Sequence, residues 1–179
     1  MLNSKNTLLI IIDVQGNLAR IMHNSDVLLQ NLSILIQGAL LLDIPIIWME
    51  QIPEKLGKTV DEVSMHLKGI EPIKKNVFSC FKNHAFNTRL NEFNPDNLIL
   101  SGIETHICVY QTAMDLIKQN FNVEVVGDAT SSRLEYNKEI GIEKMRLAGC
   151  EITSVETFLF EIQGIASGKK FRELVKLVK

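Results

Sequence analysis

Short apolar runs alternate with stretches of helical spacing along most of this chain. The run from Thr7 to Val14 is apolar at nearly every position, which is typical of a strand buried on both faces. From Ser25 to Leu42 the apolar residues recur at intervals of three and four, which predicts a helix that ends before Pro45. Further strands are predicted at 45–49, 97–101, 123–127 and 151–155, and further helices at 105–120, 138–148 and 158–178, the last broken near Gly168.

This alternation predicts right-handed β-α-β crossovers and a parallel sheet covered on both faces. In such sheets the functional residues lie at the carboxyl ends of the strands. That rule selects four places: Asp13, Met49–Gln51, Gly102–Cys108 and Asp128–Arg133. The segment 51–97 is irregular and rich in lysine, glycine and proline, and we expect it to form a wall of the site.

Length and composition indicate an ordinary globular protein, with 179 residues, 46% apolar and 22% charged, and we expect a single domain over residues 1–179. A net charge of -2 gives no electrostatic attraction to nucleic acid or to anionic membranes. The early apolar run is too short to span a membrane and lacks the features of a signal peptide, so we expect a cytoplasmic protein.

The number and spacing of the cysteines predict reduced thiols. The chain has three cysteines, an odd number without the CxxC spacing, so neither a disulfide framework nor a zinc knuckle is expected. Cys80 and Cys150 are interpreted as core residues. Cys108 differs, because it follows a strand-to-helix turn with Thr105 as the expected N-cap. Free backbone N–H groups there would lower the pKa of the thiol and stabilise an oxyanion.

Two charged residues are candidates to assist this cysteine. Asp13 closes an aliphatic strand, where an unpaired carboxylate is costly, so it needs a partner or a function. The alternative is that Asp13 caps the next turn. Lys75 precedes an apolar patch and is a candidate counter-ion, although a paired lysine such as Lys74-Lys75 is usually a solvated face.

Other patterns are weaker. The chain has no GxGxxG after a strand and no phosphate-binding GxxxxGK[ST] loop, and its histidines lack the spacing of a helical zinc site. His106 is a minor candidate for a general base. Ser131 and Ser132 are interpreted as turn or cap residues, with a lesser chance of substrate contact.

Three elements in order resemble those of the isochorismatase-like cysteine hydrolases. Asp13-Val14-Gln15 is similar to the family's D-x-Q element, whose Asp is the catalytic base. The stretch Lys75–Phe81 is similar to its K-x-x-x-S-A-F element, whose Lys is catalytic, with Cys80 in place of the usual alanine. Gly102–Val109 resembles the G-[IV]-x-T-x-x-C-V element that carries the nucleophile, here Cys108.

A closer resemblance is to isochorismatase-domain-containing hydrolases of unassigned substrate. It rests on Glu50–Pro53 with Leu56-Gly57 and Thr59, and on Asp128-Ala129 with Ser131–Arg133. The nicotinamidase branch carries an Asp-x-His metal cluster after its second strand, where this sequence has Met49-Glu50-Gln51. We therefore expect no catalytic metal and no cofactor.

The resemblance implies a three-layer α/β/α sandwich with a mainly parallel, Rossmann-like sheet. It implies hydrolysis of a small amide or related C–N substrate by Asp13, Lys75 and Cys108. The oxyanion would be held by the N–H groups of Glu104 and Cys108, beside a cis peptide between Ile103 and Glu104. The residues expected to contact substrate are Gln15, Gln51, Phe78 and Thr105.

Several alternatives stay open on the sequence alone. They are vinyl ether hydrolysis of the isochorismatase type, in which the cysteine is dispensable, a non-catalytic binding or scaffold protein, and a thiol redox protein using Cys80 with Cys108. We also expect a homo-oligomer, with the apolar stretch Phe158, Leu159, Phe160 and Ile162 as a candidate interface. The alternative for that stretch is a helix packed on its own sheet.

Overall fold

The computed structural model describes residues 2–179 and contains one six-stranded sheet in the order β3-β2-β1-β4-β5-β6. All neighbouring strands run parallel. The strands are β1 Thr7–Ile12, β2 Ile46–Gln51, β3 Ile73–Lys75, β4 Asn97–Ile103, β5 Asn122–Ser131 and β6 Glu151–Thr153. The residue Ile12 pairs with Met49 on one side and with Gly102 on the other, so β1, β2 and β4 reach the same edge of the sheet together.

Helices cover both faces of this sheet and complete the predicted three-layer α/β/α sandwich. They are α1 Gly16–Arg20, α2 Ser25–Leu41, α3 Pro53–Leu56, α4 Asp61–Ser64, α5 His84–Phe93, α6 Tyr110–Ile117, α7 Glu135–Leu147, α8 Val155–Gln163 and α9 Gly168–Leu177, with a 3₁₀ turn Cys80–Lys82 and a π-helical turn Thr105–Val109. One core contains residues of α2, α4, α8 and α9, and the other contains residues of α5, α6 and α7. The two cores explain why β1 is buried along its whole length.

The segment 51–97 is more regular than the sequence indicates. It contains two short helices, the strand β3 and the helix α5. The strand β3 has only three residues and lies at the edge of the sheet, and two of the three are lysines, so it shows little apolar signal. The helix α5 buries only Phe86 and Leu90, which leaves too few apolar positions to reveal a helical period.

The apolar stretch in α8 is not the free interface that we considered from the sequence. Phe158 and Leu159 are fully buried, and Phe160 and Ile162 pack partly buried against the same core. Leu159 also closes on α2, where a Cβ at Gly38 would lie 2.5 Å from its Cδ1. The alternative is therefore correct, because this helix packs on its own sheet.

Candidate active site

The predicted catalytic residues meet at the carboxyl edge of the sheet. Asp13 directly follows β1, Lys75 ends β3, and Cys108 follows β4. The strand order places the reversal of winding between β1 and β4. Ligands of open parallel sheets bind outside the carboxyl ends of the strands at such a reversal. The topology therefore places Asp13 and Cys108 on the two sides of the expected binding crevice.

Asp13 and Lys75 form a buried ion pair. The Lys75 Nζ donates to Asp13 Oδ2 at 2.6 Å and to Gln51 Oε1 at 2.6 Å. The side chains of Lys75 and Asp13 are 0% and 3% exposed, so water does not screen their attraction. Asp13 adopts the left-handed backbone conformation with φ of 55°, which Asp tolerates better than most residues and which ends the strand at the site.

The ammonium group of Lys75 also organises the loop that follows it. Lys75 Nζ donates to the carbonyl oxygens of Val77 at 3.1 Å and Phe78 at 3.2 Å. These bonds occupy the lysine entirely within the protein, since its three hydrogens face four acceptors. The residue Phe78 is 54% exposed. The role of Phe78 in contacting substrate stays a prediction.

Cys108 lies in the π-helical turn Thr105–Val109 rather than in a regular α-helix. The N-cap is Glu104 and not Thr105 as predicted, because the Thr105 hydroxyl bonds to Thr130 Oγ1 at 3.0 Å within the core. The Glu104 carbonyl accepts from the N–H groups of Ile107 at 3.0 Å and Val109 at 3.3 Å. The bond from Val109 joins residues five apart, as in a π-helix. The N–H of Cys108 lies one residue before this bond, in the first turn, where backbone N–H groups lack partners within the helix.

Burial governs the protonation of the thiol. Burial raises the pKa of Cys108, the charge of Asp13 raises it further, and Lys75 lowers it by a smaller amount. The sequence-based expectation of a lowered thiol pKa is therefore wrong, since desolvation of the thiolate outweighs the helix start. The neighbouring Cys108 thiol lowers the pKa of Asp13, and Asp13 Oδ1 is buried with no hydrogen-bond partner within standard distance among residues 2–179.

The ion pair has its own protonation pattern. Burial raises the pKa of Asp13 above its ordinary value, and Lys75 offsets that effect only in part. Burial lowers the pKa of Lys75, but its interactions with the Asp13 carboxylate and with the sulfur atoms of Cys80 and Cys108 together raise it. The resting site therefore combines an ammonium group, a protonated thiol and a carboxylate that accepts a proton more readily than a solvated one.

Close backbone packing positions the turn between β4 and Cys108. Gly102 has φ of 108°, and a Cβ there would lie 2.1 Å from the Ile12 carbonyl oxygen, so only glycine allows β4 to approach β1. The peptide bond between Ile103 and Glu104 is cis.

Glu104 is buried, and its Oε2 accepts from the Arg133 backbone N–H at 3.1 Å and from the Arg133 Nε at 3.2 Å. Sequence reasoning missed this pair, because nothing in the spacing links the two residues.

The residues expected to contact substrate divide into two groups. Gln51 and Phe78 lie at the cluster, Gln51 as a partner of Lys75. Gln15 and Thr105 are fully buried. The Gln15 amide donates to the carbonyls of Gln51 at 3.1 Å and Gly57 at 2.6 Å, and it accepts from the Gln51 N–H at 2.6 Å. Gln15 and Thr105 thus position neighbouring chain segments and present no surface to a ligand.

The remaining candidates lie around the site. His106 Nδ1 and Ser132 Oγ are 2.9 Å apart, and Ser131 Oγ donates to the His23 carbonyl at 2.8 Å. Cys80 and Cys150 are buried, and burial raises the pKa of each to about 12. Within residues 2–179, no group of three or more His, Cys, Asp or Glu is arranged to hold a metal ion. No helix in the same range is long and apolar enough to cross a membrane.

Fold and cluster together define an isochorismatase-type hydrolase fold, and comparisons with known proteins agree. The isochorismatase domain model matches residues 7–157. The secreted isochorismatase effector Isc1 of Phytophthora sojae is 31% identical over 179 residues, covering 97% of this chain and 84% of that protein. Isochorismatase domain-containing protein 1 of Salmo salar is 36% identical over 146 residues, but they make up only 51% of its length. The chain belongs to the isochorismatase family.

Solved structures show the same fold. The MAR1 ribonuclease of Caenorhabditis elegans superposes with a TM-score of 0.92 at 32% identity, covering 99% of this chain and 91% of that chain. The nicotinamidase PncA of Bacillus subtilis superposes with a TM-score of 0.74 at 17% identity over 83% of this chain and 99% of that chain. The second likeness is one of fold alone.

Proposed function

We propose that this protein is a cysteine hydrolase that acts on a small amide or related C–N substrate through Asp13, Lys75 and Cys108. The observation that carries the proposal is the buried Asp13–Lys75 pair beside Cys108 at the reversal point of the sheet. A buried ion pair is weak evidence for stability alone, since apolar residues can replace one at little cost. Its position beside a thiol favours a chemical role.

In this mechanism, Asp13 accepts the thiol proton as Cys108 attacks the carbonyl carbon. The sulfur–carbon bond forms as the carbonyl electrons move to oxygen, and the N–H groups of Glu104 and Cys108 stabilise that oxyanion. Asp13 then gives its proton to the leaving nitrogen as the C–N bond breaks. Water, deprotonated by Asp13, hydrolyses the acyl enzyme and regenerates the thiol.

The protonation pattern of the site supports this sequence. The raised pKa of Cys108 means that the thiol holds its proton at rest, so a base must remove it during attack. The raised pKa of Asp13 makes this carboxylate a stronger base than a solvated aspartate, as removal of the thiol proton requires. Lys75 stabilises the thiolate and fixes Asp13, and no metal or cofactor takes part in the proposed steps.

A second candidate is vinyl ether hydrolysis of the isochorismatase type. A specific observation favours it, namely that burial raises the pKa of Asp13, which a carboxyl needs to protonate a substrate. In this reaction Cys108 is dispensable. The sequence also leaves open a non-catalytic binding or scaffold protein and a thiol redox protein that uses Cys80 with Cys108.

A hydrolysis screen separates these candidates. Wild type, Cys108→Ala and the matched control Cys150→Ala are assayed on small amides, carbamates, isochorismate and an RNA oligonucleotide. The RNA is included because the neighbour from C. elegans is named a ribonuclease. We expect turnover of an amide or carbamate by wild type and Cys150→Ala only. Turnover of isochorismate that survives Cys108→Ala supports the second candidate, and no turnover of any compound contradicts both.

We also propose that the chain forms a homo-oligomer in solution, through a surface other than α8. Exposed apolar side chains lie on two neighbouring segments: Ile21, Val27, Leu134 and Tyr136. His23 joins the segments, since its N–H donates to the Ser132 carbonyl at 2.9 Å. A structural neighbour from Escherichia coli is described as an octameric hydrolase. Light scattering that shows a monomer at micromolar concentration contradicts this proposal.

A further inference from the structure

A cavity of about 710 Å³ lies on the face of β2 opposite the candidate active site. Side chains alternate along a strand, so Trp48 and Glu50 point to one face, whereas Met49 and Gln51 point to the other. Trp48 and Glu50 line the cavity, while Gln51 binds Lys75. The volume lies within the range of small-molecule sites, which is roughly 300–1,000 Å³.

Glu50 is a nearly buried carboxylate, and only one of its two oxygens accepts hydrogen bonds from the part of the chain that the structure describes. The residue is 4% exposed. Its Oε1 accepts from the Thr59 N–H at 2.7 Å and from the Thr59 hydroxyl at 2.8 Å. Within residues 2–179, Oε2 has no hydrogen-bond partner and no cation forms an ion pair with Glu50. The free oxygen of a carboxylate that is nearly buried and has no counter-ion in this range can accept a charge-assisted hydrogen bond from a cation that enters the cavity.

The rest of the cavity suits the apolar body of such a ligand. The Trp48 indole lines it, held by an N–H bond to Thr59 Oγ1 at 2.8 Å, and Leu67, Ile70 and Pro72 add apolar surface. An ammonium or guanidinium group is attracted to the face of an aromatic ring, and tryptophan is the strongest of these rings.

The protein's own cations do not neutralise Glu50. Lys74 lies at the cavity but is paired with Glu54 at 3.3 Å. Lys58 and Lys68 also line the cavity, but both are exposed, so water screens their charges. Glu50 is therefore a carboxylate of the cavity wall that no cation among residues 2–179 pairs with and that a ligand can reach.

We propose that this cavity binds an organic cation, a primary ammonium or a guanidinium carried on an apolar body. The cation lies at Glu50 and the body packs against Trp48 and the neighbouring aliphatic wall. The site is separate from Cys108 and does not depend on the proposed hydrolase activity.

The chain has a single tryptophan, so its fluorescence reports on this cavity directly. Benzylammonium is titrated into wild type at pH 7, with benzyl alcohol as the neutral compound of similar shape. We expect a saturable change in fluorescence with benzylammonium and none with the alcohol. Glu50→Gln keeps an oxygen that can accept from Thr59, and it should weaken binding about tenfold or more.

Glu54→Gln is the matched control, because it removes an equal charge from the cavity rim, where the carboxylate is exposed and paired. It should change the affinity less than about twofold. Equal binding of benzyl alcohol, equal losses in the two variants, or no saturable binding by wild type would each overturn the proposal. If Glu50→Gln does not fold, a nuclear Overhauser effect between bound benzylammonium and the indole of Trp48 in wild type decides, and its absence overturns the proposal.

Discussion

Replacing Lys75 by methionine tests how far the buried carboxylate of Asp13 depends on its ion-pair partner. Lys75 is the ion-pair partner of Asp13, with Nζ and Oδ2 2.6 Å apart and both side chains almost fully buried. Burial raises the pKa of Asp13 even with Lys75 present. In Lys75→Met we therefore expect Asp13 to be protonated at neutral pH, because a buried carboxylate without its cation is the less stable form.

The expected cost follows from this protonation. Removing one partner of a buried pair typically destabilises a protein by about 3–5 kcal/mol. A folded-state pKa above the ordinary value of 3.8 means that the folded variant holds a proton that the unfolded chain releases. Its stability therefore rises as pH falls, by up to about 1.36 kcal/mol per pH unit, until the unfolded pKa is reached. The loss relative to wild type should be largest at pH 8 and smallest at pH 5.

Urea unfolding of wild type and Lys75→Met at pH 5, 6, 7 and 8 measures this difference. Lys74→Met is the matched control, since Lys74 is exposed and pairs with Glu54 at the surface. It should cost less than about 1 kcal/mol at every pH. A loss in Lys75→Met that is the same at pH 5 and pH 8 would refute the argument that Asp13 takes up a proton when its partner is removed.

Two further variants test other parts of the structure. Burial, with the charges of Glu151 and Glu161, raises the pKa of Glu124 from 4.5 to about 7, so stability falls as the pH rises between these values and the loss is complete above pH 7. Glu124→Gln should stabilise the protein by about 1–3 kcal/mol at pH 8 and hardly at pH 5 in thermal unfolding, whereas an equal gain at both would contradict this. Gly141→Ala should slow hydrolysis while the circular dichroism is retained, because its Cβ would lie 3.0 Å from the backbone of His106 in the π-helical turn. Unchanged turnover would contradict the expectation that the position of the π-helical turn controls hydrolysis.

The strands that build the crevice could be predicted because they are apolar on both faces. The strands β1 and β4 are buried at every position, and their aliphatic runs end where the functional residues begin. Asp13 was identifiable for the same reason, as a carboxylate that follows such a run. A residue at the end of a strand can thus be recognised from its immediate neighbours in the sequence. The parallel strand order then brings these strand ends together.

Interactions between distant segments could not be predicted in this way. Lys75 became a candidate through the family resemblance, because the edge strand β3 carries too few apolar residues to be recognised. The pairing of Glu104 with Arg133 and the burial of Phe158 and Leu159 depend on tertiary packing. The direction of the Cys108 pKa shift also depends on burial, which outweighs the local helix start.

The most direct test of the central claim is the rate at which iodoacetamide alkylates each cysteine, measured by mass spectrometry between pH 6 and pH 9 in wild type and Lys75→Met. We expect Cys108 to react first in wild type, because it is the most exposed of the three cysteines and Asp13 can take its proton as the sulfur attacks, with Lys75 beside the forming thiolate. Lys75→Met should slow that reaction near pH 7 by about tenfold or more, since a protonated Asp13 can no longer accept the thiol proton and the cation that stabilises the thiolate is gone. Cys80 and Cys150 should react slowly in both proteins. An unchanged pH profile for Cys108 in Lys75→Met would contradict the proposed Asp13–Lys75–Cys108 site.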